Sequence, residues 1–166
     1  FVSENFENWG NYASVLFLIL MFIGGCAGST TGGLKVFRFQ ILFKYISQHL
    51  KKMLQPHAVL VSHFNGKKIP ESTYDSVMSF FFIYVLTFIT SSLFLSFSGL
   101  DFITCISAAA SAISNVGPGL GEVIGPEGNY SPLTNYAKFI LIFTMFLGRL
   151  EMLTILVLFL PSFWKN

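Results

Sequence analysis

The sequence is short of charge. Of its 166 residues only 11% are Asp, Glu, Lys or Arg, against about 25% in an ordinary soluble domain. It has two cysteines, Cys26 and Cys105, far apart and each inside an apolar segment. Neither belongs to a Cys-x-x-Cys pair or stands at metal-ligand spacing from a histidine. That argues against a redox centre or a zinc site, and two small buried residues are expected instead. No Ser/His/Asp set and no paired carboxylates occur, so the chain is not expected to be an enzyme. His49, His57 and His63 have no carboxylate cluster near them and read as solvated or interface side chains. The chain opens on Phe1-Val2-Ser3-Glu4 with neither Met nor a basic leader, and is expected to be a piece of a longer protein.

What is present is apolar. Hydrophobic residues make up 53% and aromatics 17%, with 20 phenylalanines, and the mean hydropathy is +0.65. This is the composition of a membrane protein. Lys and Arg are absent from 1–34 and 69–137, whereas Lys35, Arg38, Lys44, Lys51, Lys52, Lys67 and Lys68 crowd the stretch between. Positive charge gathers on the cytoplasmic side of a membrane, so this central segment is placed inside. No nucleic-acid partner is expected.

Interrupted apolar runs set the organisation. From Tyr12 to Ile23 the chain is apolar and then meets Gly24, Gly25, Cys26, Ala27, Gly28, Ser29, Thr30, Thr31, Gly32 and Gly33. A helix over that run reaches about 18 Å, well short of a hydrocarbon core of about 30 Å. The glycine-rich decapeptide therefore lies within the membrane, and the span is broken there. Its glycines turn at low steric cost and its hydroxyls can satisfy freed carbonyls, which suits a hinge or gate. Close helix packing through small residues is the competing reading. A phosphate-binding loop is a poor match, because no Gly-Lys-Ser/Thr and no preceding strand occur.

Leu34 to Leu54 resumes a helical pattern, and Gln55-Pro56 ends it. A short connection follows, with a turn or small hairpin at Asn65-Gly66 and Ser72 as a candidate cap. Val77 to Phe97 is uncharged and long enough to span. Phe102 to Ser114 is too short, and Asp101 is placed to cap it. After it come Asn115, Val116, Gly117, Pro118 and Gly119, a sequence that fits neither helix nor strand. Irregular backbone inside a membrane survives where protein buries it or where it lines a watery path. A pore loop fits: a helix dips in, its negative C-terminal end favours a cation, and the carbonyls after it replace hydration water. A plain Gly/Pro turn outside the membrane is the alternative. Leu133 to Leu160 is the last span, interrupted at Gly148-Arg149-Leu150-Glu151. Arg149, deep in that span, is costly unless paired or hydrated and so marks a functional site, or else an anchor for packing. Glu151 stands on another face of the helix, so the loop at 24–33 is the expected partner.

The succession of span, short helix, Asn-Val-Gly-Pro-Gly and span resembles the last of four repeats in the Trk/Ktr/HKT superfamily of potassium transporters, in particular its bacterial TrkH type. Phe22 to Val36 is similar to that family's third-repeat intramembrane loop, and Leu147-Gly-Arg-Leu-Glu-Met152 to the arginine-bearing middle of its final helix. The likeness covers essentially all 166 residues. It implies an all-α membrane protein in which residues 1–54 are the second helix of a third repeat, broken at 24–33. Residues 55–76 would be a cytoplasmic connection, and 77–166 a fourth helix–re-entrant loop–helix repeat with pore helix 102–114 and filter 115–119. The resemblance further implies one quarter of a potassium filter, with the ion as cargo held only by carbonyls and no cofactor. It places a gate at 24–33 and a positive barrier at Arg149. The expected setting is the bacterial inner membrane, with a cytoplasmic C-terminus. The expected partners are the missing repeats, a second copy of the protein and a nucleotide-binding cytoplasmic subunit of TrkA type near residues 35–68. Two other classes compete: a structural or assembly module without transport, and a sodium-coupled carrier with broken helices.

Overall fold

Eleven residues, Asn11–Met21, form the first helix, α1, before the chain reaches its glycines. The computed structural model describes residues 4–26, 28–29, 31–55, 63–64, 67–150, 152, 157 and 161–164. At 1.5 Å per residue α1 is about 16 Å long, half of a hydrocarbon core. The chain then doubles back on itself. The Gly24 N–H donates to the Leu34 carbonyl at 2.9 Å, the Val36 N–H donates to the Gly25 carbonyl at 3.1 Å, and Ile23 and Leu34 form a parallel bridge. The pinched neck has no space for a side chain, since a Cβ on Gly24 would lie 2.6 Å from the Gly32 carbonyl oxygen.

From the neck α2 (Val36–Leu54) leaves as an amphipathic helix with Lys51 and Lys52 in its last turn, where cations complement the helix dipole. Its Ile41, with Phe37 and Tyr45, packs on Ile69, Tyr74 and Val77. A two-residue antiparallel ladder, β1 (His63–Phe64) and β2 (Lys67–Lys68), pairs His63 with Lys68 and Phe64 with Lys67. This is the small hairpin expected from the turn signal, although Asn65, Gly66 and His57 lie outside the described residues. The long helix α3 (Glu71–Ser96) carries the apolar run expected from Val77 and begins two residues before the start that a Ser72 cap would give. Pro70, extended at φ −69° and ψ 149°, takes the cap position instead of Ser72. Ser72 becomes part of the first turn, where its carbonyl accepts from the Ser76 hydroxyl at 2.9 Å. Ser72–Ser96 is the one described helical segment long and apolar enough to cross a membrane.

Helix α4 (Phe102–Ser114) begins and ends where the apolar run does, with the Thr104 N–H donating to the Asp101 carboxylate at 3.1 Å as its cap. Helix α5 (Asn135–Arg149) is capped by the Thr134 hydroxyl and stops at the Gly148-Arg149-Leu150 interruption. Met152 and Val157 are helical again, and the other residues of the expected span from 151 to 160 lie outside the described residues. At 15 residues this part of the span, Asn135–Arg149, reaches about 22 Å.

Small and hydroxylated residues are inside. Ten of the 13 residues of α4 are buried, among them Ala108, Ala109, Ala110 and Ala112 together with Thr104, Ser107 and Ser111. Large apolar residues face outward: Phe82, Leu93, Phe94 and Phe97 around α3, and Phe139 and Ile142 on α5. Tyr84, Leu95, Ile113 and Ile124 are buried as well, but a water-soluble protein leaves fewer large apolar side chains outside, because burying them drives folding. In lipid there is no such drive between helices, and small residues that let backbones approach closely hold them together. The Thr87, Ser91, Ser92 and Thr144 hydroxyls each donate to a carbonyl one turn earlier at 2.8–2.9 Å, which satisfies them without water.

One expectation is corrected here. Cys105 is buried, but Cys26 is exposed, since the pinched loop turns it away from the packed helices.

Candidate functional site

The end of α4 is held with its polar groups on display. Asn115 takes the left-handed conformation (φ 56°, ψ 43°) just past Ser114. Its N–H donates to the Ala112 carbonyl at 3.2 Å and the Val116 N–H to the Ser111 carbonyl at 3.0 Å. That is a Schellman-type ending with Asn where Gly is usual. The carbonyls of Ile113 and Ser114 are thereby left to point out of the helix, and each meets a glycine. A Cβ on Gly148 would be 2.7 Å from the Ile113 carbonyl carbon and closer still to its oxygen, and one on Gly32 would be 2.7 Å from the Ser114 oxygen. Two segments far apart in sequence thus press against one helix end.

Beyond Asn115 the five-residue stretch 115–119 is fastened along one side. The Gly117 N–H donates to the Ser111 hydroxyl at 3.1 Å, and the Gly117 carbonyl accepts from the Tyr130 hydroxyl at 2.7 Å. The Gly119 N–H donates to the Ile124 carbonyl at 2.7 Å. The Leu120 N–H reaches the Ser107 hydroxyl at 2.9 Å, and that hydroxyl donates back to the Leu120 carbonyl at 3.2 Å. The Gly121 N–H donates to the Glu7 carboxylate at 2.5 Å, which ties the segment before α1 to the loop after α4. The other side is open. Val116, Gly117 and Pro118 are exposed, and a Cβ on Gly117 would meet nothing within 4 Å. Among the described residues no donor is hydrogen-bonded to the carbonyls of Asn115 or Val116.

The glycine loop sits at the base of this stretch. Gly32 and Gly33 are buried against Ser114 and Asn115, and the Ser29 and Thr31 hydroxyls bond to each other. The buried Tyr84 hydroxyl pairs with the Ser114 hydroxyl at 2.7 Å, and the Asn115 amide donates to the Met145 carbonyl at 3.2 Å. Arg149 lines a cavity of about 250 Å³ together with Ser29, Thr31, Gly33, Lys35 and Arg38. The Arg38 guanidinium stands 3.6 Å above the Phe80 ring on the wall of that cavity.

The residues singled out from sequence come together in part: Gly32 and Gly33 press on Ser114 and Asn115, Gly148 presses on Ile113, and Arg149 shares a cavity with Ser29, Thr31 and Gly33. Ala27, Thr30 and Glu151 lie outside the described residues. Sequence reading missed the side chains that fasten the stretch, namely Glu7, Ser107, Ser111 and Tyr130. Ser107 and Ser111 do carry a signal, being hydroxyls one helical turn apart on an alanine-rich helix. Glu7 and Tyr130 carry none, because neither lies in an interrupted apolar run.

Broken apolar helices, a buried short helix ending in a glycine-rich turn and many large apolar side chains facing outward are the features of a mainly helical protein suited to a membrane. The family model described as "TrkH: Cation transport protein" matches residues 1–166, and the chain belongs to that family. It is 45% identical to Trk system potassium uptake protein TrkI from Halomonas elongata and 41% identical to Trk system potassium uptake protein TrkH from Escherichia coli K12. In both comparisons all of this chain aligns to 34% of the relative. Over 99% of this chain, the crystal structure of the potassium transporter TrkH from Vibrio parahaemolyticus superposes with a TM-score of 0.86 at 41% identity. The chain thus spans about a third of the length of the relatives it matches.

Proposed function

We propose that this chain is part of a potassium uptake protein of the inner membrane. It supplies the second helix of a third repeat (1–54), a cytoplasmic connection (55–76) and a fourth helix–re-entrant loop–helix repeat (77–166). Asn115, Val116, Gly117, Pro118 and Gly119 form one quarter of the filter, and repeats outside this chain provide the rest. A single observation carries the reading: the Ser114 carbonyl at the buried end of α4, where the open stretch 115–119 begins, stands directly against Gly32 of the 24–33 loop. A dehydrated cation needs oxygens in place of water, and the negative end of α4 adds attraction. The loop closes the path beneath, and Arg149 beside its cavity opposes a cation there and holds the loop in place. The relatives' names as potassium uptake proteins support potassium as the ion. The basic segment 35–68 faces the cytoplasm, as does the C-terminus, and offers the surface for a nucleotide-binding subunit of TrkA type. A second copy of the full protein completes a dimer in the bilayer.

The gate is tested by deleting Gly28 and Ser29 in the full-length protein. Rubidium uptake is expected to rise several-fold in conditions where the parent is closed. Unchanged uptake at normal membrane abundance would sink the gate assignment.

The competing reading is an assembly module without transport. Co-expression of residues 1–166 with the remaining repeats on a separate chain discriminates the two. Restored rubidium uptake supports transport, and a stable complex without uptake supports the module.

A further inference from the structure

Gly117 is the one residue of the 115–119 stretch held by side chains at both of its backbone polar groups. Its N–H is bound by Ser111, from the buried face of α4, and its carbonyl by Tyr130, from the loop ahead of α5. The two clamps come from different elements and meet on one glycine. That glycine has φ +116°, in a region where only glycine moves freely, so its carbonyl would otherwise turn at little cost. There is space for such a turn: a cavity of about 310 Å³ beside Gly117 is lined by Tyr130, Leu141 and Met145. The Tyr130 ring is itself fixed, packed on the cluster that contains Leu133, Ala137 and Leu141. Burial pushes its hydroxyl above the ordinary tyrosine range, so it keeps its proton and remains a donor. The carbonyls of Asn115 and Val116, by contrast, have no bonded donor among the described residues.

We propose that Tyr130 is a positioning residue: its hydroxyl, with Ser111 as counter-clamp, sets the direction of the Gly117 carbonyl and thereby the discrimination between potassium and smaller cations. The proposal rests on the reading of 115–119 as a filter. Ion selectivity depends on the number and direction of carbonyl dipoles around the path. A Gly117 carbonyl anchored to Tyr130 is one dipole withheld from reorienting around a smaller ion. Released, it can turn and coordinate sodium.

The test uses the full-length protein with Tyr130→Phe, which removes one oxygen and keeps the ring. Sodium competition against rubidium uptake is measured, with membrane abundance as control. Loss of one net hydrogen bond corresponds to about a fivefold change, so potassium-over-sodium preference is expected to fall by about fivefold. Ser111→Ala should shift the preference in the same direction, and the double variant should fall short of the product of the two. A merely structural role would lower abundance or maximal uptake and leave the preference unchanged. An unchanged preference in Tyr130→Phe overturns the proposal. If that variant does not reach the membrane, an unchanged preference in Ser111→Ala overturns it. Gly117→Ala separates the two levels: lost uptake there with an unchanged preference in Tyr130→Phe defeats the positioning role alone. Parental uptake and preference in Gly117→Ala defeat the filter reading with it.

Discussion

Among the described glycines, Gly148→Ala should be the most damaging addition of a single methyl. The new Cβ would fall 2.7 Å from the Ile113 carbonyl carbon and nearer still to the oxygen. Real Cβ atoms do not approach backbone so closely, and no flexible side chain is available to swing aside. Either α5 moves away from the end of α4 or the Ile113 peptide leaves the helix. Overpacking of this kind costs about 1–3 kcal/mol or more, and the upper end applies where both obstacles are backbone. Displacement of α5 would also break the Asn115 amide bond to Met145 and carry Arg149 away from the loop cavity. Thermal unfolding of the detergent-solubilised full-length protein is the measure. Gly99→Ala is the comparison, because Gly99 has φ +73° with nothing within 4 Å of its Cβ. It should cost only about 1 kcal/mol of left-handed strain. Equal stability of the two alanine variants would show that the contact between α4 and α5 is not tight.

Gly117→Val is expected to lower rubidium uptake by at least tenfold while leaving the protein in the membrane. The two halves of that result have separate causes. A β-branched residue at φ +116° is strained by about 1–3 kcal/mol, and the backbone relieves it by turning the Gly117 peptide out of its clamps. The carbonyl array then changes, and the isopropyl group occupies the open side of the stretch. Nothing in the packed interior is displaced, because the Cβ direction is empty, so folding and insertion should survive. Uptake at the parental rate with normal abundance would remove 115–119 from the ion path.

These two glycines differ in how far they could be read in advance. Gly117 lies in a cluster of glycine and proline after a short apolar run, and that local pattern alone marks a break in regular structure. Gly148 is one glycine in an apolar span. Its importance comes from a carbonyl contributed by Ile113, 35 positions earlier, which no local pattern reveals. The same division runs through the rest of the molecule. Helix α4 has the bounds and the Asp101 cap expected of it, because helix ends are decided by residues within one turn. The start of α3 differed, since Pro70 and Ser72 both offer local starts and tertiary contacts at Ile69 and Tyr74 favour the earlier one. Cys26 was expected inside from the apolar run before it, but a residue in a loop that doubles back goes where the neck directs it.

Sequence by itself determined the apolar class, the broken first span, the short capped helix and the glycine stretches at 24–33 and 115–119. All of these depend on run length, charge spacing and the conformational range of single residues, which act over a few positions along the chain. Only the tertiary structure decided that Gly32, Gly33 and Gly148 meet at one helix end and that Arg149 shares a cavity with the 24–33 loop. It also decided that Ser111 and Tyr130 clamp Gly117 and that Glu7 reaches Gly121. Those are hydrogen bonds and close approaches between segments up to 114 positions apart. Their existence depends on how the helices pack, because a donor finds its acceptor only after small residues have let the backbones come together.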